Sequence, residues 1–328
     1  LRQELTVKRT FPVNLNPKDR HLFEPALTAT FERIFPVDLK NVWILQDTVF
    51  SPGEFKFYSE HTHIAAIGPL QFGKRVALCF SKSWKKIPLG MWIIDEWSAN
   101  YFHWMTDCLP RIWEGKARNP SCPVILPESY RSLPYVTQTL GLLGIQVEYF
   151  QSRQNLWVSH LVLTARTSEF PHFHELLTRK TREKLGFQSV DFPSRKIYVS
   201  RKLATKRKAH NELEVELLLR KRGFEIIYAE QLSVKQQITL MGETRLLVAL
   251  HGAALTNMLF MQEGMNVLEL RNIDDSVTQC YFNLASALGL QYFYTLNKGD
   301  HKDSITTDFT IDIQALEEAL AVIEKEIG

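Results

Sequence analysis

Three features of the 328-residue sequence predict an α/β fold of two Rossmann-like domains facing each other across a cleft. The chain is too long for one comfortable hydrophobic core, so two domains are the default. Strand-like and helix-like segments alternate along most of it, which is the signature of a parallel sheet with crossover helices. Several strand-like segments are continuous apolar runs, as expected where a sheet is buried on both faces. With 45% hydrophobic and 23% charged residues, the composition is that of an ordinary globular protein. It excludes a disordered tail, a collagen-like fibre and a disulfide-stapled miniprotein.

The first half is the less regular one. Residues 41–95 carry four strand-like pieces, VWILQDTVF, HIAAI, KRVALCF and MWIID. A helix is expected around 99–117, then a strand at 123–126, a helix near 131–143, and strands at 147–150 and 161–164. A helix over 172–185 leads into a Gly/Pro/Ser-containing stretch at 186–194, where the domain boundary is placed. This divides the chain into residues 1–190, with an irregular N-terminal extension, and residues 191–328.

The second half alternates cleanly. KIYVS (196–200) is a strand, and 211–222 is an amphipathic helix stopped by Gly223. FEIIYA (224–229) is a strand, and 232–241 a helix ended by Gly242. RLLVAL (245–250) is a fully buried strand followed by a short helix. NVLEL (266–270) is a strand, 277–288 a helix, 292–296 a strand and 312–327 a helix. Ligands of such sheets sit at the carboxyl ends of the strands.

Charge and cysteine usage narrow the class. A formal net charge of +3 does not announce a nucleic-acid protein. Cys79, Cys108, Cys122 and Cys280 are scattered and read as reduced thiols. No Asn-X-Ser/Thr acceptor occurs, and both facts point to the cytoplasm. No run of about 18 apolar residues is present, so a spanning helix is not expected. A chain starting at Leu1 is compatible with removal of a signal or anchor segment.

Three segments carry chemistry. In Leu250-His-Gly-Ala-Ala-Leu-Thr-Asn257 a strand ends and a helix can begin near Ala254. Gly252 permits a sharp turn and close approach of a ligand. Amides at a helix start favour an anion such as a diphosphate, with His251 as a further donor and Asn257 on the first turn. The alternative is an ordinary strand-to-helix turn. The second segment is basic: Arg195, Lys196, Arg201, Lys202, Lys206, Arg207 and Lys208. Arg201 follows a strand end and suits bidentate phosphate recognition, with Lys206 or Arg207 as a second clamp. A solvated face explains the rest, and no interleaved aromatics support nucleic-acid binding.

The third segment is Asn100-Tyr-Phe-His-Trp-Met-Thr-Asp-Cys-Leu-Pro-Arg111. His103 and Asp107 are four apart and share a helical face. Pro110 removes one helical amide and disturbs the turn near Thr106. The pair can be a general base with its positioning partner, or a simple helix-surface hydrogen bond. Glu230 and Glu269 are further acids that could accept from ribose hydroxyls, or, for Glu269, face a helix. His172 and His174 resemble a metal pair only superficially. No Walker A, GxGxxG, HExxH, GxSxG or DxD motif is present.

Taken together, NYFHWMTDCLPR, KIYVSR, AEQLSVKQQ and VALHGAALTN followed by NVLELR resemble glycosyltransferase family 61, over roughly residues 95–290. The resemblance implies a GT-B type fold. It also implies inverting, metal-independent transfer of a sugar from a nucleotide sugar, UDP-linked, to a glycan or lipid-linked glycan acceptor. With no disulfide spacing and no sequon, the chain looks like a bacterial polysaccharide-type member. That places it in the cytoplasm, peripherally at the inner face of a membrane, with no cofactor and no nucleic-acid partner. By this resemblance residues 1–190 would be the acceptor-side domain and 191–328 the nucleotide-sugar-binding one, and Arg201 and the amides of Gly252, Ala253 and Ala254 would hold the diphosphate; Arg207 joins them from the basic segment itself. His251 and Asn257 would support that turn, and Glu230 would touch the nucleotide, with Glu269 a candidate ribose acceptor from its own position in the strand. Asp107 is expected as the base with His103 orienting, the reverse assignment staying open. An epimerase or hydrolase on the same fold, or a silent sugar-nucleotide-binding module, are the competing readings.

Overall fold

The computed structural model describes residues 2–62, 68–275, 279–302 and 307–327. The chain forms two compact units, one of Leu1–Glu4 and Glu32–Glu169, the other of Leu5–Phe31 and Phe170–Gly328. Strands β1 (Arg2–Lys8) and β2 (Thr28–Ile34) pair as a two-stranded sheet.

The first unit is built on a seven-stranded mixed sheet. Its strands are β3 (Val37–Leu45), β4 (Thr48–Ser51), β5 (Lys56–Phe57), β6 (Ser83–Trp92), β7 (Val124–Pro127), β8 (Val147–Phe150) and β9 (Gln154–Leu163), in the order β5-β4-β3-β9-β6-β7-β8. β9, β6, β7 and β8 run parallel, while β3, β4 and β5 form an antiparallel meander. The meander follows from the two-residue connection Gln46–Asp47, with Gln46 at φ 64°, since so short a loop can join only antiparallel neighbours. Ile87, Met91 and Trp92 of β6 and Leu156, Val158 and Leu163 of β9 are buried at the centre. The helix Leu109–Arg118 lies so close to β6 that a Cβ on Gly115 would collide with Met91 Sδ.

Expectations for this unit are met unevenly. VWILQDTVF is the β3–β4 hairpin, and 147–150 is β8 as expected. KRVALCF is not a strand: it belongs to the helix Pro69–Phe80. A short apolar run fits either state, and here Cys79 packs on Leu45 and Phe50 as part of a helix laid over the meander. MWIID is strand only as far as Trp92, and HIAAI lies outside the described residues.

The second unit carries a six-stranded sheet of β10 (Arg195–Val199), β11 (Glu225–Ile227), β12 (Thr244–Leu250), β13 (Asn266–Asn272), β14 (Gln291–Gly299) and β15 (Phe309–Thr310), in the order β11-β10-β12-β13-β14-β15. The first five are parallel and β15 is antiparallel. On one face Leu246, Val248, Leu268 and Phe293 meet Val215 and Leu219 of the helix Glu212–Lys221 and Leu316 and Leu320 of the helix Ile313–Ile327. The helix Cys280–Ala287 serves the other face, where Phe282 meets Tyr292 edge to face. Because the second strand in sequence lies outside the first, the winding direction reverses between β10 and β12. The carboxyl ends of those two strands are therefore where such a sheet opens a crevice for a ligand.

The division of the chain differs from the expected boundary at 190/191. Residues 170–190 belong to the second unit because the helix Glu175–Lys184 is anchored there: Arg182 Nη1 donates to the Met261 carbonyl and Arg179 pairs with Glu263. Residues 5–31 join the same unit through Phe23, whose ring meets Phe282, Tyr292 and Tyr294.

Candidate functional site

In the second unit, β10 delivers Arg201 and β12 delivers His251 and Gly252, at the point where the sheet's winding reverses. The end of β10 is fixed by the helix Glu212–Lys221. Glu212 accepts from Tyr198 Oη and from the Arg201 amide, each at 3.0 Å, and Glu216 accepts from Ser200 Oγ at 2.9 Å. The following loop wraps the Arg201 side chain. Its Nε donates to the Arg207 carbonyl and its Nη2 to the Lys206 carbonyl, both at 2.7 Å. Two of the three guanidinium nitrogens are thus spent on the loop, and Nη1 is directed at Gly252.

Gly252 shows why a glycine is needed there. At φ 156° a Cβ would stand 2.8 Å from Arg201 Nη1 and 3.5 Å from Arg207 Cζ. Both guanidinium groups therefore converge on one residue of bare backbone. Arg207 reaches the spot from φ 55°, and its buried Nε has no hydrogen-bond partner among the described residues. Burial first, and then the charge of Arg207, lowers the pKa of Arg201, against the opposing pull of Tyr281, Glu230 and Glu212. Two cations beside one another in a partly buried turn are an arrangement that an anion would relieve.

The segment after Gly252 is a 3₁₀ helix, Ala253–Phe260, opened by the amides of Ala253 and Ala254. Asn257 lies within it, fully buried, and donates to Gln237 Oε1 at 2.8 Å. It ties the turn to the helix Val234–Gly242 from beneath and is closed off from solvent. Glu230 is exposed in the short turn after β11 and acts on Arg201 through its charge.

Glu269 is buried, and its partner is His251 rather than solvent. Its Oε1 is 2.5 Å from His251 Nδ1, and its Oε2 accepts from Tyr292 Oη at 2.5 Å. Asp275 Oδ2 stands 3.6 Å from His251 Nε2, and Arg271 bonds Gln279 and the Asp275 carbonyl behind them. Burial and then the Glu269 charge push the Tyr292 pKa well up, so it stays a donor to that carboxylate. The imidazole is thus clamped in orientation, with the Tyr281 ring 5.1 Å away. Tyr281, Asp275 and Tyr292 carry no local signature and were missed by sequence reasoning, and Arg271, though it closes NVLELR, was given no role.

In the first unit, the segment bearing His103 and Asp107 is interrupted where Pro110 demands it. Tyr101–His103 is α-helical, Trp104–Cys108 is a π-turn in which the Leu109 amide bonds the Trp104 carbonyl, and Leu109–Arg118 resumes the helix. Asn100 caps the start by accepting from the Phe102 amide. Single π-turns are frequent at functional positions. Across this one, His103 Nδ1 lies 2.7 Å from Asp107 Oδ2, and both side chains are about one-seventh exposed.

Around the pair sits a charge network of which only Arg111 belongs to the sequence motif. Arg166 Nη1 is 3.9 Å from Asp107 Oδ2, while its Nε donates to Asp95 Oδ2 at 2.9 Å. Asp95 also faces the fully buried Arg111, which is held by Thr164 Oγ1 and the Thr164 and His61 carbonyls. Burial alone would raise the Asp95 pKa, but the hydrogen bond from Arg166 and the two arginine charges bring it down to about 2. Trp97 completes the group, with its ring 5.0 Å from His103 and under the Arg166 guanidinium.

His174 caps the helix Glu175–Lys184, and His172 stacks on Phe31 beside Arg9. Among the described residues no three His, Cys, Asp or Glu side chains are grouped to hold a metal ion, and no helix is long and apolar enough to cross a membrane.

The model of the family described as glycosyltransferase 61 matches residues 101–268, which run from the His103 segment through the Arg201 and Gly252 turns. A stretch of 65 residues, 20% of this chain, is 37% identical to the EGF domain-specific O-linked N-acetylglucosamine transferase of Xenopus laevis, of which it covers 12%. The family match spans half of the chain, and the protein belongs to the glycosyltransferase 61 family.

Proposed function

We propose that this protein transfers a sugar from a nucleotide sugar, UDP-linked, to a hydroxyl of a glycan acceptor, with inversion at the anomeric carbon. The observation that carries the reading is the convergence of Arg201 and Arg207 on Gly252 at the carboxyl ends of β10 and β12. That site offers two cations, bare backbone amides and a clamped imidazole, which is what a departing diphosphate requires. The reading gives the donor to the second unit and the acceptor's proton to the first, the division of labour of a GT-B enzyme.

In the reaction the acceptor oxygen attacks the anomeric carbon as the bond from that carbon to the diphosphate oxygen breaks. The diphosphate keeps the bonding electrons, and its growing charge is met by Arg201, Arg207 and the amides of Ala253 and Ala254. The acceptor proton goes to His103. With Nδ1–H donated to Asp107, Nε2 is the ring's proton acceptor, and Asp107 holds that tautomer. This supports the reverse of the expected assignment of Asp107 as base, because its Oδ2 is already engaged by His103 and Arg166. The arginine pair supplies the charge compensation, so the reaction proceeds without a divalent metal in this reading. Four buried, unpaired cysteines support a reducing compartment such as the cytoplasm.

The test is ligand-dependent melting. UDP and UDP-sugars raise the melting temperature by mass action, and Arg201→Gln removes the shift. Turnover of a UDP-sugar then requires an acceptor and persists in EDTA. Absence of any UDP-dependent shift, or equal turnover without acceptor, rejects the reading in favour of a different ligand or of a hydrolase.

A further inference from the structure

Two side chains beside His103 are left unexplained by proton transfer alone. Trp97 is 40% exposed, an unusual setting for a rigid indole held in a tight turn. That turn is firm: the Trp97 amide and Ser98 Oγ both donate to Asp95 Oδ1 at 3.1 Å, and the Asp95 amide donates to Ser98 Oγ. The Arg166 guanidinium lies 4.7 Å above the Trp97 ring. Its Nε is committed to Asp95, yet its Nη2 is buried with no hydrogen-bond partner among the described residues. A buried N–H without an acceptor is costly, and a guanidinium is a strong directional donor. The local charges cancel, Asp95 and Asp107 against Arg111 and Arg166, so nothing here selects an anion.

A flat apolar ring, a directional N–H and an imidazole within 5.0 Å of that ring fit one class of molecule. A sugar ring has C–H bonds across one face and hydroxyls around its edge. A peptide hydroxyl lacks the face, and a hydrocarbon has no use for the donor. We propose that Trp97 and Arg166 form the acceptor-saccharide subsite: the indole stacks on the sugar ring, and the Arg166 guanidinium, its side chain 13% exposed, donates to a hydroxyl neighbouring the one that attacks. This rests on the reading of His103 as base and names the acceptor as a carbohydrate. Trp97 and Arg166 bind, and His103 takes the proton.

The experiment is saturation-transfer NMR on the full chain. The probes are the methyl pyranosides of glucose, galactose, mannose and xylose, with a serine-containing peptide alongside, each with and without UDP. Ring C–H protons of at least one glycoside should receive saturation. Trp97→Ala should weaken that glycoside about tenfold or more, Trp97→Phe should retain it, and Arg166→Gln should weaken it by a comparable factor. Melting temperatures are read first, and Trp97→Leu, which keeps apolar bulk without the flat ring, replaces an alanine variant that fails to fold. Failure of every glycoside to bind, binding indifferent to Trp97, or stronger saturation of the peptide overturns the proposal. The UDP melting shift is read in the same samples. Its loss in the wild-type chain breaks the donor reading, whereas its presence without a Trp97-dependent glycoside signal breaks the acceptor subsite alone.

Discussion

The two units handle charge in opposite ways. Around Gly252 two guanidinium groups crowd one turn, and burial and repulsion depress the pKa of Arg201. Around Asp107 each arginine is matched by a carboxylate, and Asp95 is held ionised with a pKa of about 2. An unbalanced cluster gains by taking up a counter-charge from outside. A balanced cluster is already satisfied, and its strength is spent on holding other side chains in place. In the proposed function the difference separates a site for an anion from a site for geometry.

That contrast can be broken by substitution. The largest effect should come from His103→Gln, with kcat falling about 10²- to 10⁴-fold while KM for the UDP-sugar holds, measured in steady state. A larger loss from Asp107→Asn than from His103→Gln would restore the carboxylate as base. Next, Asp95→Asn should cost about 3–5 kcal/mol of stability in urea titration, because it strands the buried charges of Arg111 and Arg166. Arg201→Gln should instead act on function, raising the barrier to transfer by about 2.7–4 kcal/mol with no comparable loss of stability. If Arg201→Gln destabilises the fold as much as Asp95→Asn does, the two clusters are alike and the contrast fails.

The smallest effect should be common to both units. His61 in the first and His172 in the second are each lowered to about 4, by burial first and then by Arg111 and Arg9 respectively. Their unfolded values lie near 6.5, so the unfolded chain takes up protons first as the pH drops. The stability they contribute is complete above about pH 6.5 and is lost as the pH falls from there through about 4. Melting temperatures between pH 7.5 and 4.5 should decline accordingly, and a rise on acidification would contradict the burial of both rings.

Much of this was legible in the sequence, and the reason is locality. The run RLLVAL, the turn at His251-Gly252 and the break forced by Pro110 each depend on neighbours in the chain, so pattern alone exposes them. That Arg207 stands beside Arg201 was within reach of the sequence, which offered Lys206 or Arg207 from the same loop. The rest depends on distance in sequence. The turn of Asp95 and Trp97 and the distant Arg166 come together beside His103, and Tyr292 reaches Glu269 from the next strand. Glu269 illustrates the limit: alternation with Leu268 and Leu270 shows that it points to one face, but not that a histidine waits there. KRVALCF failed for another reason, since seven residues of mixed polarity are too few to separate the two periodicities.

The early segment Leu5–Phe31 belongs with the last strands, and this has a consequence for synthesis on the ribosome. Asn14 bonds the Tyr294 backbone across 280 positions of chain. That segment leaves the exit tunnel well before β14 and must wait, undocked, until the strand follows it. Its apolar side chains, Phe23 above all, stay uncovered while the intervening chain is made, so the later arrival of one strand sets the interval during which a nascent chain needs shielding.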